Sequence, residues 1–166
     1  MRRDELLDAA EQLLCDQGSD ALTLAAVADR AGVSKGGLLY HFNTKEALIK
    51  GMAERLIDDF DQLMAEQGET TYTRRYLAAT MAAIRSGRLR RWAVVTGASG
   101  NMFLLGPLRE AMTRWHTSEL ENEPDPVAAQ IVRLACEGLW DVASHDPGLY
   151  PDDELDALER RLISLL

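Results

Sequence analysis

Lys35, Tyr40, His41 and Lys45 fall within eleven residues of one another, on either side of a Gly36-Gly37 pair. Ammonium, phenol and imidazole groups are donors that proteins offer to nucleic-acid phosphates. Glycine lets a backbone approach a partner surface closely. The stretch that holds these residues, 23–46, reads TLAAVADRAGVSKGGLLYHFNTKE. A helix made only for packing gains nothing from two glycines in its first turn, each costing about 1 kcal/mol against alanine. From these residues alone two readings stay open. One is a nucleic-acid contact surface; the other is a helical hairpin whose glycines allow tight packing.

Other chemistry is weaker. His116 and Glu119 stand three apart on a helix, a spacing that can hold a metal, but Glu121 and Glu123 follow. The group reads as a solvated acidic face, and neither metal nor cofactor is expected. Cys15 and Cys136 are too few for a disulfide scaffold or a four-cysteine zinc site. Both lie on apolar helix faces and read as inert core. His41, His116 and His145 have no nucleophile motif around them, so an enzyme is not expected. A helical-bundle enzyme built on His116 stays as a competing class, as does an interaction module without DNA affinity.

The elements that position the donors follow from periodicity. Leu6, Leu7, Ala10, Leu13 and Leu14 predict a helix over residues 4–17. Thr23 caps a short second helix carrying Leu24, Val27, Ala28 and Ala31 to near Gly32. Ser34 caps a third over residues 35–42. Two short helices joined through a glycine turn are the layout of a helix-turn-helix. Asn43 with Glu46 resembles a capping box for a long fourth helix to about Gln67. A fifth helix runs from Tyr72 to near Gly87, and residues 88–100 read as either a short helix or a strand. Residues 103–121 read as helical, with Pro107 early in the helix or kinking it. Asp125-Pro126 opens a helix carrying Val127, Ile131, Leu134, Ala135, Leu139 and Val142, and Asp152 or Asp153 opens the last. The expectation is an all-α chain of about nine helices.

Composition bounds the partners. The 166 residues carry 18 Lys+Arg against 27 Asp+Glu, a net charge of -9. Residues 30–50 run the other way: Arg30, Lys35, Lys45 and Lys50 face only Glu46. A basic island in an acidic chain permits DNA locally. No apolar run nears the roughly 18 residues that cross a membrane, and residues 2–14 are charged and amphipathic rather than leader-like. A cytoplasmic protein is expected.

The segment resembles the DNA-binding domain of TetR-family transcriptional regulators. The likeness lies in Thr23-Leu24, the Ala31-Gly32-Val33-Ser34 turn, Lys35-Gly36-Gly37-Leu38-Leu39-Tyr40-His41-Phe42 and Lys45-Glu46-Ala47-Leu48. It covers about residues 4–55. Looser likeness to the regulatory helices of some members continues through residues 104–115, 134–140 and 151–166. The resemblance implies a helix-turn-helix DNA-binding domain over residues 1–46 and a helical regulatory and dimerisation domain over 47–166. Ser34, Lys35, Gly36 and Gly37 would face DNA, with Thr23, Tyr40, His41 and Lys45 on phosphates. His41 also reads as a helix-end cap. Leu39 departs from the pattern, standing where many members carry a phosphate-contacting tyrosine; either Tyr40 substitutes for it or Leu39 touches a thymine methyl.

The resemblance further implies a homodimer built from the last two helices, through Leu134, Gly138, Leu139, Val142, Leu155, Leu158 and Leu162. Such a dimer would bind a palindromic double-stranded operator as a repressor. A small hydrophobic or aromatic effector would release it from a pocket drawn from Phe60, Met64, Tyr76, Met81, Trp92, Met102, Phe103, Met112 and Trp115. Each of these, taken singly, also reads as core.

Overall fold

The computed structural model describes residues 3–98 and 106–166. Among the described residues there are nine α-helices and no strand, and the stretch left open between helix and strand, 88–100, is helical from Leu89 to Ala98. The chain divides into two compact units: residues 1–57 with 91–109, and residues 58–90 with 110–166.

In the first unit, α1 (Arg3–Gln17) buries Leu6, Leu7, Ala10, Leu13 and Leu14, the stripe that periodicity predicts. Cys15 is exposed beside this stripe, which corrects its reading as core: it follows Leu14 around the helix onto the solvent side. After a 3-10 turn at Ser19–Ala21, α2 (Leu24–Arg30) starts on Thr23, whose Oγ1 accepts from the Ala26 amide at 3.1 Å. It ends in a Schellman motif: the amide of Val33 donates to the Ala28 carbonyl at 2.9 Å and that of Gly32 to Asp29 at 3.1 Å. Gly32 has φ +70°, a left-handed conformation that suits glycine.

α3 (Lys35–His41) starts on Ser34, whose Oγ accepts from the Gly37 amide at 3.1 Å. α4 (Lys45–Ala65) is capped by Thr44, whose Oγ1 accepts from the Ala47 amide at 3.0 Å. The cap is therefore one residue later than the Asn43-Glu46 spacing suggests. Arg55 of α4 pairs with Asp8 and Glu11 of α1, each at 2.6 Å. Glu11 also holds Arg91 of α6 (Leu89–Ala98) through contacts of 2.8 and 3.2 Å.

In the second unit, α5 (Tyr72–Arg85) packs against α8 (Pro126–His145) and α9 (Asp152–Ile163). α7 (Gly106–Thr117) carries Pro107 in its first turn, where the missing N–H costs no helix bond. It stops at Thr117 rather than reaching residue 121, because Glu119 takes a left-handed φ of 53° and opens a 3-10 turn at Leu120–Asn122. Asp125 caps α8, its Oδ1 accepting from the amides of Val127 and Ala128 at 3.0 Å. No helix among the described residues is long and apolar enough to cross a membrane.

Candidate nucleic-acid interface

α3 is held from one side. Leu38 and Phe42 turn inward onto a core that includes Leu22, Val27, Ala28 and Leu48, all buried. What remains faces out. Thr23, Ser34, Lys35 and Gly36 are exposed, Leu39 is 37% exposed and Tyr40 87% exposed. Gly37, His41 and Lys45 are half-buried at the edge of this face. The ring of Tyr40 stands edge-on to His41, centroids 5.2 Å apart.

The basic island is narrower than its composition. Arg30 is bound to Asp16 at 2.8 Å, and Lys50 stands 3.9 Å from Glu54. Lys45 reaches the Ser19 carbonyl at 3.4 Å. Lys35 has no acidic partner among the described residues. The hydroxyls of Thr23 and Ser34 accept a cap bond each and keep a proton to donate. The face thus offers an ammonium, a phenol and two hydroxyls, with an exposed leucine among them. That inventory suits a polyanion with base edges beyond its phosphates.

The second unit supplies an aromatic cluster. Phe60 lies edge-to-face with Tyr76 at 5.7 Å and with Trp115 and Trp140 at 4.9 Å each. Trp115 Nε1 donates to Asp61 at 2.7 Å, and Arg114 reaches the same carboxylate at 2.7 Å. Of the effector-pocket residues, Phe60, Tyr76 and Trp115 are brought together here. Met64, Met81 and Trp92 are buried, and Met112 is exposed. Met102 and Phe103 lie outside the described residues. None of the seven described ones lines the cleft formed by Ile84, Leu139, Ala143, Asp146, Pro147, Tyr150 and Leu155. Burial raises the Tyr76 phenol well above its usual range and pushes the Cys136 thiol up to about 12. Cys136 is buried core, as its helix face implies.

Two buried charges were not visible in the sequence. Arg133 is fully buried. Its Nη1 donates to the carbonyls of Trp115, His116 and Ser118 at 3.3, 2.9 and 2.9 Å, and its Nε to Thr73 Oγ1 at 2.9 Å. Its guanidinium also lies 4.8 Å from the Tyr72 ring centroid. Glu123, 3.2 Å from Arg133, is buried too, which corrects its place on a solvated acidic face. Burial alone would raise its carboxyl, but bonds from the Thr73 hydroxyl and amide and from Thr71, with the Arg133 charge, hold it below the usual range. His116 pairs with Glu137 at 2.6 Å, while Glu119 faces Arg75 at 3.6 Å. No cluster of metal-ligating residues occurs among the described residues.

On α8, Val127, Ile131 and Leu134 form a stripe 65%, 52% and 61% exposed, continued by Gly138. Leu158 of α9 is exposed, and Val142 and Leu162 are half-buried. Leu139 and Leu155 are not available as a partner surface: at 8% and 4% exposed they bury their apolar area within the chain. Val127 and Ile131 belong to the exposed stripe and were missed as such. Their i, i+4, i+7 spacing with Leu134 is the signal that could have found them.

The sequence pattern of the tetR family of bacterial regulatory proteins matches residues 6–52. That of the tetracyclin repressor-like C-terminal domain matches residues 70–166. The chain belongs to the TetR family of transcriptional regulators. That family is one of transcriptional regulators rather than of enzymes. The HTH-type transcriptional repressor KstR2 of Rhodococcus jostii is 40% identical over 58 residues, 35% of this chain and 28% of that relative. The HTH-type transcriptional regulator TtgR of Pseudomonas putida is 34% identical over 61 residues, 37% of this chain and 29% of that relative. The match therefore spans less than a third of the length of either relative. A crystal structure of a transcriptional regulator from Rhodococcus sp. Rha1 has a TM-score of 0.76 at 23% identity, over 100% of this chain and 96% of the other. A SmeT–triclosan complex has a TM-score of 0.67 at 22% identity, over 98% of this chain and 90% of the other. At those identities the likeness carries the TetR fold alone.

Proposed function

We propose that this regulator is a homodimeric repressor that occupies a palindromic operator and is released by a small hydrophobic or aromatic effector. Residues 1–46 form its DNA-binding part and residues 47–166 its regulatory and dimerising part. The carrying observation is the outward face of α3, where Lys35, Gly36, Leu39 and Tyr40 take no part in the core that Leu38 and Phe42 build. Thr23, Ser34, Gly37, His41 and Lys45 complete the DNA-facing set.

The exposed apolar stripe of α8, with Leu158 and Leu162 of α9, supports a two-fold interface. An isologous interface repeats each recognition helix about the axis, hence the palindrome. The aromatic cluster around Phe60 supports an apolar effector, and one solved structure of the same fold holds triclosan. The name of KstR2 supports repression. Release follows if the effector binds better to a form that fits DNA worse.

The experiment is selection of random duplexes by the purified chain at moderate salt, followed by affinity measurements on the recovered sequence. A palindrome is expected, with affinity falling steeply as salt rises. Lys35→Ala and Tyr40→Ala should lose operator binding and keep wild-type circular dichroism. Unchanged affinity in both variants, or no sequence preference in the folded chain, overturns the reading.

A further inference from the structure

We propose that Glu11 is a positioning residue for operator binding, the joint that holds α4 and α6 in fixed register on α1. The inference rests on the two-fold, palindrome-binding reading above and adds to it the residue that keeps the two recognition helices at one separation.

Among the described residues, Glu11 is the one charged residue of the first unit that is buried, at 8% exposure. It follows Leu7 by four residues and precedes Leu14 by three, on the packed face of α1. Its carboxylate is shared. Arg91 of α6 takes it as a fork, Nε to Oε2 at 2.8 Å and Nη2 to Oε1 at 3.2 Å. Arg55 of α4 brings Nη2 to within 2.6 Å of Oε1. Nη1 of the same guanidinium donates to Asp8 Oδ1 at 2.6 Å and to the Asp4 carbonyl at 3.2 Å.

Stability does not call for this arrangement. Taking charges out of water consumes most of what their attraction returns, and an apolar residue of similar volume often serves a core as well or better. What the carboxylate adds is direction. Apolar burial, such as that of Val95 of α6, tolerates sliding. A forked guanidinium–carboxylate pair holds one register.

The register matters because of where the two arginines stand. The chain passes between the two units three times, after Ile57, before Arg91 and after Arg109. Arg55 is two residues from the first passage, and Arg91 is at the second. One carboxylate therefore grips the chain beside two of its three exits from the unit that carries α3. A two-fold dimer reads a palindrome only when its recognition helices keep the separation of the half-sites.

The test uses the full chain and three duplexes: the palindrome it selects, that palindrome with one base pair inserted at its centre, and a single half-site. Glu11→Gln keeps the volume and removes the charge. It should bind the palindrome about tenfold more weakly than the wild type does, and the half-site within about twofold. The wild type should discriminate against the inserted duplex, and Glu11→Gln should lose most of that discrimination. Arg91→Met, which leaves the Arg55–Glu11 pair in place, should repeat both effects. The double variant should be no weaker than either single one, because all three remove the same link. Equal losses on half-site and palindrome mark a merely structural residue and overturn the inference. So do unchanged discrimination in Glu11→Gln and losses that multiply in the double variant. In each of these cases the wild type still reads a spaced palindrome, so the two-fold reading survives; a wild type that selects no palindrome, or ignores the insertion, removes both.

Discussion

Gly51 lies under the ring of Phe42. A Cβ placed there would come within 2.7 Å of Phe42 Cε1 and 3.0 Å of Arg3 Nη2. The buried Phe42 closes the last turn of α3 and has little room to withdraw. Gly51→Ala should therefore destabilise the fold by about 1–3 kcal/mol through overpacking. Thermal unfolding checks this, and adding Phe42→Leu should recover part of the loss. Gly36 is the opposite case, with open space around it. Gly36→Ala should leave stability equal or raise it by up to about 1 kcal/mol, and should weaken operator binding by holding the backbone away from the duplex. The two glycines look alike in the sequence. Gly36 has neighbours in the chain, Lys35 and Tyr40, that suggest a use for it, whereas nothing near Gly51 in the chain announces the ring folded onto it. Glu123 and Arg133 were illegible for the same reason, since they meet only once α5, α7 and α8 are assembled. Because the Glu123 carboxyl is held below its ordinary range, it contributes stability that is present above its unfolded value. That stability is lost as pH falls through the folded one. Acidification below about pH 4 should lower the unfolding temperature of the wild type more than that of Glu123→Gln.

At the scale of elements, capping chemistry separates near neighbours. Thr44 makes the cap bond at the start of α4. Thr44→Ala should cost about 1 kcal/mol, and Asn43→Ala should be close to neutral. Denaturant unfolding of the two variants distinguishes them; equal losses would mean that Asn43 shares the cap. The helices themselves were readable wherever one face was apolar and the other polar, as in α1. α6 was ambiguous because the run Trp92-Ala93-Val94-Val95 suits a strand by propensity. α8 was readable as a helix but not as to its faces. Leu139 points into the chain and Leu134 away from it, yet both sides are apolar, so periodicity cannot tell core from surface.

For the molecule as a whole, that second apolar side is the consequential one. Ile131→Asp should leave the fold intact and yield monomers by light scattering, with weak binding to a half-site. Leu139→Ala should instead lower stability by about 2–5 kcal/mol, the usual range for a buried leucine. A full-strength dimer in Ile131→Asp would place the interface elsewhere. The family was legible because residues 23–48 carry a long and specific pattern, while the net charge of -9 pointed the other way. A nucleic-acid surface needs only a local excess of donors, and a whole-chain sum averages that away. The two thiols carry a practical consequence of the same partition. Cys15 is exposed on α1 in the first unit, while Cys136 is buried in the second with its thiolate disfavoured. The native chain thus offers one attachment point for a maleimide dye, already placed in the unit that carries α3. Fluorescence anisotropy of that dye can follow duplex capture and release without a single engineered residue.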